Sequence, residues 1–189
     1  MRRVTFVLGG ARSGKSRYAE GLAQRHKGKP TYIATAEITD DEMRARIERH
    51  REERGSKWAT VEAPLDLVTA LDEADHPSSF ILVECITVWI NNLMYHGKDV
   101  AGEVLRLCTA LTRIRGRVVI VANEVGLGIV PDNALARAFR DEAGRANQAL
   151  ADVADDVVFI AAGLPMTLKK ARPARRRGRS TGSKRGRRG

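Results

Sequence analysis

The chain has 189 residues, a formal net charge of +10 and 43% hydrophobic residues, a composition that excludes a wholly disordered protein. The excess charge lies at one end, since residues 171–189 hold nine basic residues and no acid, against 24 basic and 23 acidic residues in 1–170. We therefore expect one domain over 1–170 and a basic, disordered tail over 171–189. No apolar run reaches the roughly 20 residues that span a bilayer. The first residues lack a signal-peptide core, and the spacing of Cys85 and Cys108 indicates neither a metal site nor a disulfide framework, so we expect a cytoplasmic protein without a membrane segment.

Short apolar runs rich in β-branched residues alternate with helical patterns along the first 170 residues. The runs predict buried strands at residues 4–8, 31–34, 80–83, 118–122 and 157–161. Helical spacing predicts helices at residues 16–25, 40–54, 65–74, 88–94, 103–115 and 133–154. In the last of these helices, Leu135 begins an apolar stripe that is expected to face the core. This alternation predicts an α/β fold with a doubly wound, mostly parallel central sheet flanked by helices.

A phosphate-binding loop lies between the first predicted strand and the first predicted helix. Its sequence matches the pattern G-x-x-x-x-G-K-[ST], in which backbone N–H groups and the start of a helix surround phosphate oxygens. Lys15 is expected to reach the β- and γ-phosphates, and the Ser16 hydroxyl is expected to bind Mg²⁺. The nucleotide-binding residues predicted from the pattern are Gly9, Gly10, Ala11, Arg12, Ser13, Gly14, Lys15 and Ser16.

Two acidic residues follow buried strands at the edge of the sheet where ligands of α/β proteins bind. Glu84 comes directly after residues 80–83, and Glu124 comes after the strand at 118–122 and one asparagine. Either carboxylate could bind Mg²⁺, accept a hydrogen bond from a ribose hydroxyl, or orient a nucleophile. Alternatively, each is a solvated acid at the rim of the sheet.

A histidine lies on the inward face of the second predicted helix. His50 shares a face with Met43 and Ile47, and several arginines surround it in the sequence. Nearby cations favour a neutral imidazole, whose free ring nitrogen can attack phosphorus. The spacing alone favours a half-buried structural histidine with a backbone partner.

Taken together, these segments resemble the bifunctional adenosylcobinamide kinase/adenosylcobinamide-phosphate guanylyltransferase family of cobalamin biosynthesis. The resemblance runs in order from about residue 4 to residue 169, and its most specific part is Asn-Glu-Val-Gly at 123–126 followed by Arg-Asp and Gly-Arg-Ala-Asn-Gln. Other matching segments are Tyr-Ile-Ala-Thr-Ala at 32–36, the Asp-Asp-Glu-Met segment leading to His50, Glu-Cys-Ile-Thr at 84–87 and Gly-Leu-Pro at 163–165.

The resemblance implies a RecA-like P-loop domain that performs two reactions. The first moves the γ-phosphoryl group of ATP or GTP to adenosylcobinamide. The second transfers GMP from GTP to the resulting phosphate through a GMP–histidine intermediate, and His50 is the matching histidine. The resemblance therefore reverses the structural interpretation of His50 and makes it catalytic beside Lys15.

Further binding residues and partners are implied by the same resemblance. Besides the triphosphate loop, the implied partners are adenosylcobinamide, its phosphate and further copies of the chain, in homo-oligomers that include trimers. The implied nucleotide-binding residues outside the phosphate loop are Ala34, Thr35, Ala36, Arg51, Glu52, Glu53, Arg54, Glu62 and Glu84.

Two other functions remain open from the residues themselves. One is a P-loop small-molecule kinase without guanylyl transfer, in which His50 is structural. The other is a nucleic-acid-associated NTPase whose basic tail binds phosphates without sequence preference. However, residues 1–170 carry no recognisable nucleic-acid-binding motif. The alternative interpretation is that the tail is a solubilising extension or the product of an altered reading frame.

Overall fold

A seven-stranded sheet forms the centre of the computed structural model, which describes residues 2–37 and 57–171. Its strands lie in the order β3-β2-β4-β5-β1-β6-β7, and all neighbouring pairs are parallel except β6 and β7. The strands are β1 (Arg3–Gly9), β2 (Thr31–Ala34), β3 (Ala59–Glu62), β4 (Phe80–Glu84), β5 (Arg117–Asn123), β6 (Asp156–Ala161) and β7 (Leu164–Lys169).

Helices cover both faces of this sheet, which confirms the predicted mostly parallel α/β fold. On one face, α1 packs through Ala19 and Ala23 against β-strand residues such as Val7 and Val121. The other face carries the larger core, in which Trp89, Leu107 and Leu150 come from three different helices. The described helices are α1 (Lys15–Ala23), α2 (Leu67–Ala74), α3 (Ile86–Tyr95), α4 (Val100–Arg113) and α5 (Ala134–Val153).

The two strands that the sequence pattern missed lie at the two edges of the sheet. β3 alternates between partly buried and exposed residues, and every residue of β7 is exposed. A continuous apolar run is the mark of a strand buried on both faces, so edge strands with weaker patterns escape that criterion. The predicted helix at 40–54 lies outside the described residues.

The predicted apolar stripe of the last helix is only partly correct. Ala143, Ala146 and Leu150 are buried in the core, but Leu135 is 72% exposed. Leu135 lies at the beginning of α5, where the neighbouring residues 132–134 are exposed as well.

Candidate active site

The phosphate loop connects the end of β1 to the beginning of α1, as the sequence predicts. Gly14 precedes the helix with a φ of 98°, a left-handed conformation that favours glycine. Gly9 is required for a different reason, because a Cβ there would clash with the carbonyl oxygen of Ile160 on the neighbouring strand. The loop therefore lies tightly against β6, and its backbone is shaped before any phosphate arrives.

An open cleft of about 340 Å³ lies over this loop. The start of α1 faces the cleft, so the positive end of the helix dipole adds to the side-chain cations there. Glu20 is the acidic member of the lining, which otherwise carries two arginines and a lysine. The lining residues are Arg12, Ser13, Gly14, Lys15, Ser16, Arg17 and Glu20.

Lys15 is buried at the base of the cleft. Its Nζ donates a hydrogen bond to the carbonyl oxygen of Gly10 at 2.6 Å, which holds the ammonium group inside the curve of the loop. Burial lowers the pKa of Lys15, and the neighbouring Cys85 and Glu84 act in the opposite direction. A cation fixed within the loop is placed to neutralise phosphate oxygens.

The next residue, Ser16, contacts an acid from a different strand. Its hydroxyl donates a hydrogen bond to Oε1 of Glu84, the last residue of β4. Alternation along β4 explains the contact, because Phe80, Leu82 and Glu84 lie on the face that α1 covers. The structure thus brings together two of the residues that the sequence singled out, although 68 positions separate them.

These two oxygen groups fit a magnesium ion. Mg²⁺ prefers hard oxygen ligands and is commonly held by one or two carboxylates together with substrate phosphates and water. Among residues 2–37 and 57–171 there is no cluster of three or more His, Cys, Asp or Glu side chains that could hold a metal without such phosphates. The Ser16–Glu84 pair, beside a phosphate loop, therefore has the composition that a nucleotide-bound Mg²⁺ needs.

Glu124, the other candidate acid, is engaged in the loop that it begins. Its Oε1 accepts a hydrogen bond from the N–H of Gly126 at 2.6 Å. Its own N–H donates to the carbonyl oxygen of Gly9 at 3.0 Å, which fastens this loop to the phosphate loop. In this structure Glu124 shapes the loop after β5, whereas Glu84 contacts the phosphate-loop serine.

Asn123, which the sequence indicated only as part of a longer matching segment, ends the strand next to the phosphate-loop strand. In the β1–β5 ladder it lies directly opposite Gly9, and its N–H donates to the hydroxyl of Thr87 at 2.7 Å. It shares the α1 face of the sheet with Val121 and Val119. In the sequence, the available signal for this position was a polar residue at the end of an otherwise apolar strand.

The remaining described candidates form a row along the carboxyl ends of three strands. Glu62 and Glu84 are both register partners of Ala34, so β2 separates the two acids by about 10 Å. Three strands lie between β3 and β1, so Glu62 is far from Lys15. Thr35 is fully buried with its hydroxyl bonded to Cys85, and Ala36 is partly buried.

The predicted nucleophile does not fall within the part of the chain that the structure describes. His50 lies outside the described residues, as do Arg51, Glu52, Glu53 and Arg54. Their predicted roles in guanylyl transfer therefore remain predictions.

Solved structures share this fold. The flagellar accessory protein FlaH from Methanocaldococcus jannaschii matches 89% of this chain and 79% of its own length, with a TM-score of 0.54 and 14% identity. The RadB recombinase matches 83% of this chain and 73% of its own length, with a TM-score of 0.50 and 16% identity. With its phosphate loop, the chain has a RecA-like P-loop NTPase fold.

Sequence comparison then identifies the family. The model of the cobinamide kinase / cobinamide phosphate guanyltransferase family matches residues 5–168, and the chain belongs to this family. A bifunctional adenosylcobalamin biosynthesis protein, CobP of Pseudomonas aeruginosa, is 44% identical over 87% of this chain and 96% of its own length. The bifunctional protein CobU of Escherichia coli is 42% identical over 88% of this chain and 99% of its own length.

The helices that the structure describes include no candidate for a membrane span, since none combines the necessary length and apolar character.

Proposed function

We propose that this chain catalyses both reactions for which its family is named, on adenosylcobinamide and then on adenosylcobinamide phosphate. The observation that carries the proposal is the contact between Ser16 and Glu84 beside Lys15, within a chain 42–44% identical to bifunctional relatives over nearly their whole length. The first reaction consumes ATP or GTP, and the second consumes GTP and yields adenosylcobinamide-GDP and pyrophosphate.

In the kinase reaction, the phosphate loop positions the triphosphate and stabilises charge on it. Backbone N–H groups of residues 9–16 and the Lys15 ammonium group bind the phosphate oxygens. Ser16 and Glu84 would hold Mg²⁺, which supplies further charge neutralisation when bound. A bond forms between the substrate hydroxyl oxygen and the γ-phosphorus, the bond from that phosphorus to the bridging oxygen breaks, and the hydroxyl proton leaves.

In the guanylyl transfer, the proposed nucleophile is a neutral ring nitrogen of His50. It attacks the α-phosphorus of GTP, and pyrophosphate leaves, which gives a phosphoramidate. A phosphate oxygen of adenosylcobinamide phosphate then attacks the same phosphorus and releases His50. The proposal further puts residues 34–36 beside the nucleotide and assigns guanine-nucleotide binding to residues 51–54, Glu62 and Glu84, which the family resemblance supports.

Assembly into a homo-oligomer is also proposed. Edge strand β7 supports it, because Leu164, Met166 and Leu168 alternate along one side of the strand and are 54–69% exposed. Exposed apolar edge strands favour pairing with other chains, and native proteins usually cover them. We further propose that the enzyme works in the cytoplasm and that residues 171–189, beyond the end of the family match, are dispensable for both reactions.

The test of the two reactions uses GTP labelled either at the γ- or at the α-phosphate. Wild-type protein is expected to transfer γ-label to adenosylcobinamide and to acquire an acid-labile, base-stable α-label itself. His50→Ala is expected to keep the first activity and to lose the covalent label. His76→Ala is the matched control, because His76 lies in the turn before β4, at the opposite end of that strand from Glu84.

The outcomes separate the alternatives. A wild-type protein that phosphorylates adenosylcobinamide but never acquires α-label would be a kinase only. A protein with neither activity, whose NTP hydrolysis is stimulated by nucleic acid and depends on residues 171–189, would overturn the proposal in favour of a nucleic-acid-associated NTPase.

A further inference from the structure

Thr35 fastens the end of β2 to the residues that carry Glu84 out of the sheet. The regular β2–β4 ladder ends at Ala34 and Glu84, and Thr35 continues the pairing in another way. Its N–H donates to the carbonyl oxygen of Glu84 at 3.2 Å. Its hydroxyl accepts a hydrogen bond from the N–H of Cys85 at 2.8 Å and donates to the carbonyl oxygen of Cys85 at 2.9 Å.

Asn92 holds Thr35 from the other side. This residue of α3 is 5% exposed, and its Nδ2 donates to the carbonyl oxygens of Thr35 at 2.7 Å and Pro64 at 3.0 Å. Because α3 begins at Ile86, directly after Cys85, the hydrogen bonds close a ring from Glu84 through α3 to Thr35 and back. We call Thr35 and Asn92 the brace.

The brace uses polar side chains in a place where apolar ones would be expected. Thr35 has no solvent exposure, and Asn92 faces the core beside Trp89 and Leu93 on the same helix. Burying an amide and a hydroxyl is costly unless they are hydrogen-bonded. Here the Thr35 hydroxyl is bonded to the backbone of Cys85, directly after Glu84, and the Asn92 amide is bonded to the carbonyl oxygens of Thr35 and Pro64. The hydroxyl of Thr35 is occupied by Cys85, so it is not directed at a ligand.

We propose that Thr35 and Asn92 are positioning residues, which fix the Glu84 carboxylate at the distance from Ser16 that metal binding requires. This inference rests on the proposed role of Glu84 toward Mg²⁺. It assigns the Thr35 hydroxyl an effect on nucleotide chemistry through Glu84, and the nucleotide contacts proposed for residues 34–36 then fall to their backbone and to the two alanines. Partners that orient a metal-binding side chain usually change metal affinity by about 10- to 100-fold when they are removed.

The test measures metal affinity directly, apart from turnover. Mn²⁺ is titrated into protein saturated with the β,γ-imido analogue of GTP and followed by electron paramagnetic resonance. Thr35→Val is nearly isosteric and removes the hydroxyl, and the expected result is about a tenfold weaker affinity for Mn²⁺. Because His50 is proposed to cleave the α–β bond, the titration is repeated with the α,β-methylene analogue of GTP, which cannot undergo that step. Affinity for this analogue in EDTA should change less than about twofold, because the phosphate loop is untouched. Thr35→Ser should restore the affinity for Mn²⁺.

Ser79→Ala provides a matched control at the other end of β4. Ser79 is 5% exposed, precedes β4, and donates its hydroxyl hydrogen bond to Asp75 at the end opposite to Glu84. It should lower the melting temperature without changing Mn²⁺ affinity. The proposal is overturned if Thr35→Val lowers only the melting temperature, as Ser79→Ala does. Asn92→Leu gives the same comparison should Thr35→Val fail to fold.

Glu84→Gln distinguishes this inference from the proposed function on which it rests. If Glu84→Gln leaves Mn²⁺ affinity unchanged, the proposed metal role of Glu84 fails, and the brace has no metal site to position. If Glu84→Gln weakens Mn²⁺ binding but Thr35→Val and Asn92→Leu do not, the metal role stands and the positioning inference alone fails.

Discussion

The two ends of the parallel strands carry similar polar groups but use them differently. At the amino ends, the Asp75 carboxylate accepts hydrogen bonds from the N–H groups of Arg115 and Gly116, both at 2.9 Å, and from the Arg115 guanidinium group. At the carboxyl ends, Lys15 meets one carbonyl and Glu84 meets one hydroxyl, beside an open cleft.

This difference separates groups that stabilise the fold from groups that serve a ligand. Burial would raise the pKa of Asp75, but its backbone and guanidinium partners lower that pKa below the ordinary value. A carboxylate that accepts this many hydrogen bonds stays in its charged form, and its position is fixed by its donors. At the other end, the Glu84 carboxylate and the Lys15 ammonium group have few protein partners, so they can still bind a metal ion and phosphate oxygens. Four substitutions or conditions test this contrast.

The largest effect is expected at Lys15. Lys15→Ala should lower kcat for phosphorylation of adenosylcobinamide by about 10³-fold, because a preorganised cation at the phosphates is lost. The melting temperature should not fall, since removing a buried ammonium group also removes its desolvation cost. Steady-state kinetics and calorimetry measure the two effects. Lys29→Ala, at an exposed position before β2, is the control, and a Lys15 variant with more than a tenth of wild-type activity would contradict the assignment.

Ser16 should show a smaller effect that depends on metal. Ser16→Ala removes the hydroxyl that contacts Glu84, and the Mg²⁺ concentration for half-maximal kinase activity should rise about 10-fold or more. Kinase assays across a Mg²⁺ series at saturating nucleotide measure this shift. Ser78→Ala, in the turn before β4, should leave the curve in place. A uniform loss of activity at every Mg²⁺ concentration would mean that Ser16 acts on something other than the metal.

At the amino ends, the expected change is in stability alone. Gly116→Ala would place a Cβ against the Ser79 hydroxyl and 2.7 Å from the carbonyl oxygen of His76. The free energy of unfolding should therefore fall by about 1–3 kcal/mol. The KM for nucleotide should stay the same. Gly144→Ala is the opposite control, because a Cβ there meets no atom within 4 Å and alanine favours helix by about 1 kcal/mol. Chemical denaturation measures both variants.

The smallest effect concerns Asp156 and acid. The hydrogen bond from Arg3 lowers the pKa of Asp156, with burial acting against it. A lowered folded-state pKa gives stability that is present above the ordinary carboxyl value of 3.8 and is lost as the pH falls through the folded value. Because the Arg3 side chain is 43% exposed, the contribution should be about 1 kcal/mol or less.

Denaturation between pH 6 and pH 2 measures this contribution. Asp156→Asn should reduce the acid-induced loss of stability, whereas Asp132→Asn, on an exposed loop, should leave it unchanged. Equal pH dependence in wild type and Asp156→Asn would show that the ion pair contributes nothing measurable.

The sequence predicts what local pattern determines. The phosphate loop and the buried strands follow from short segments, and the positions of Glu84 and Glu124 after buried strands follow in the same way. The beginning of α4 was predicted three residues late, although Asp99 caps it by accepting the N–H of Gly102 at 3.0 Å. A capping aspartate with an acid, Glu103, in the first turn was an available signal there.

Other features depend on contacts that no local pattern contains. In the sequence, Asn92 is one polar residue in a predicted helix. Only the fold shows that its side chain donates a hydrogen bond to Thr35, 57 positions away. The choice between Glu84 and Glu124 as the acid at the site also depends on the fold, because only the fold shows which carboxylate contacts Ser16. Edge strand β7 lacks the burial that makes strands recognisable, and its pairing with β6 follows from the turn at residues 162–163.

That turn also ties the nucleotide loop to the outer edge of the sheet. The N–H of Gly163 donates to the carbonyl oxygen of Ser13 at 2.8 Å, and a Cβ on Gly14 would lie 3.3 Å from the Cα of Gly163. A backbone hydrogen bond thus joins the β6–β7 hairpin to the phosphate loop. If displacing the exposed strand β7 changes the affinity of this loop for triphosphate, then triphosphate binding must change the free energy of that displacement by the same amount.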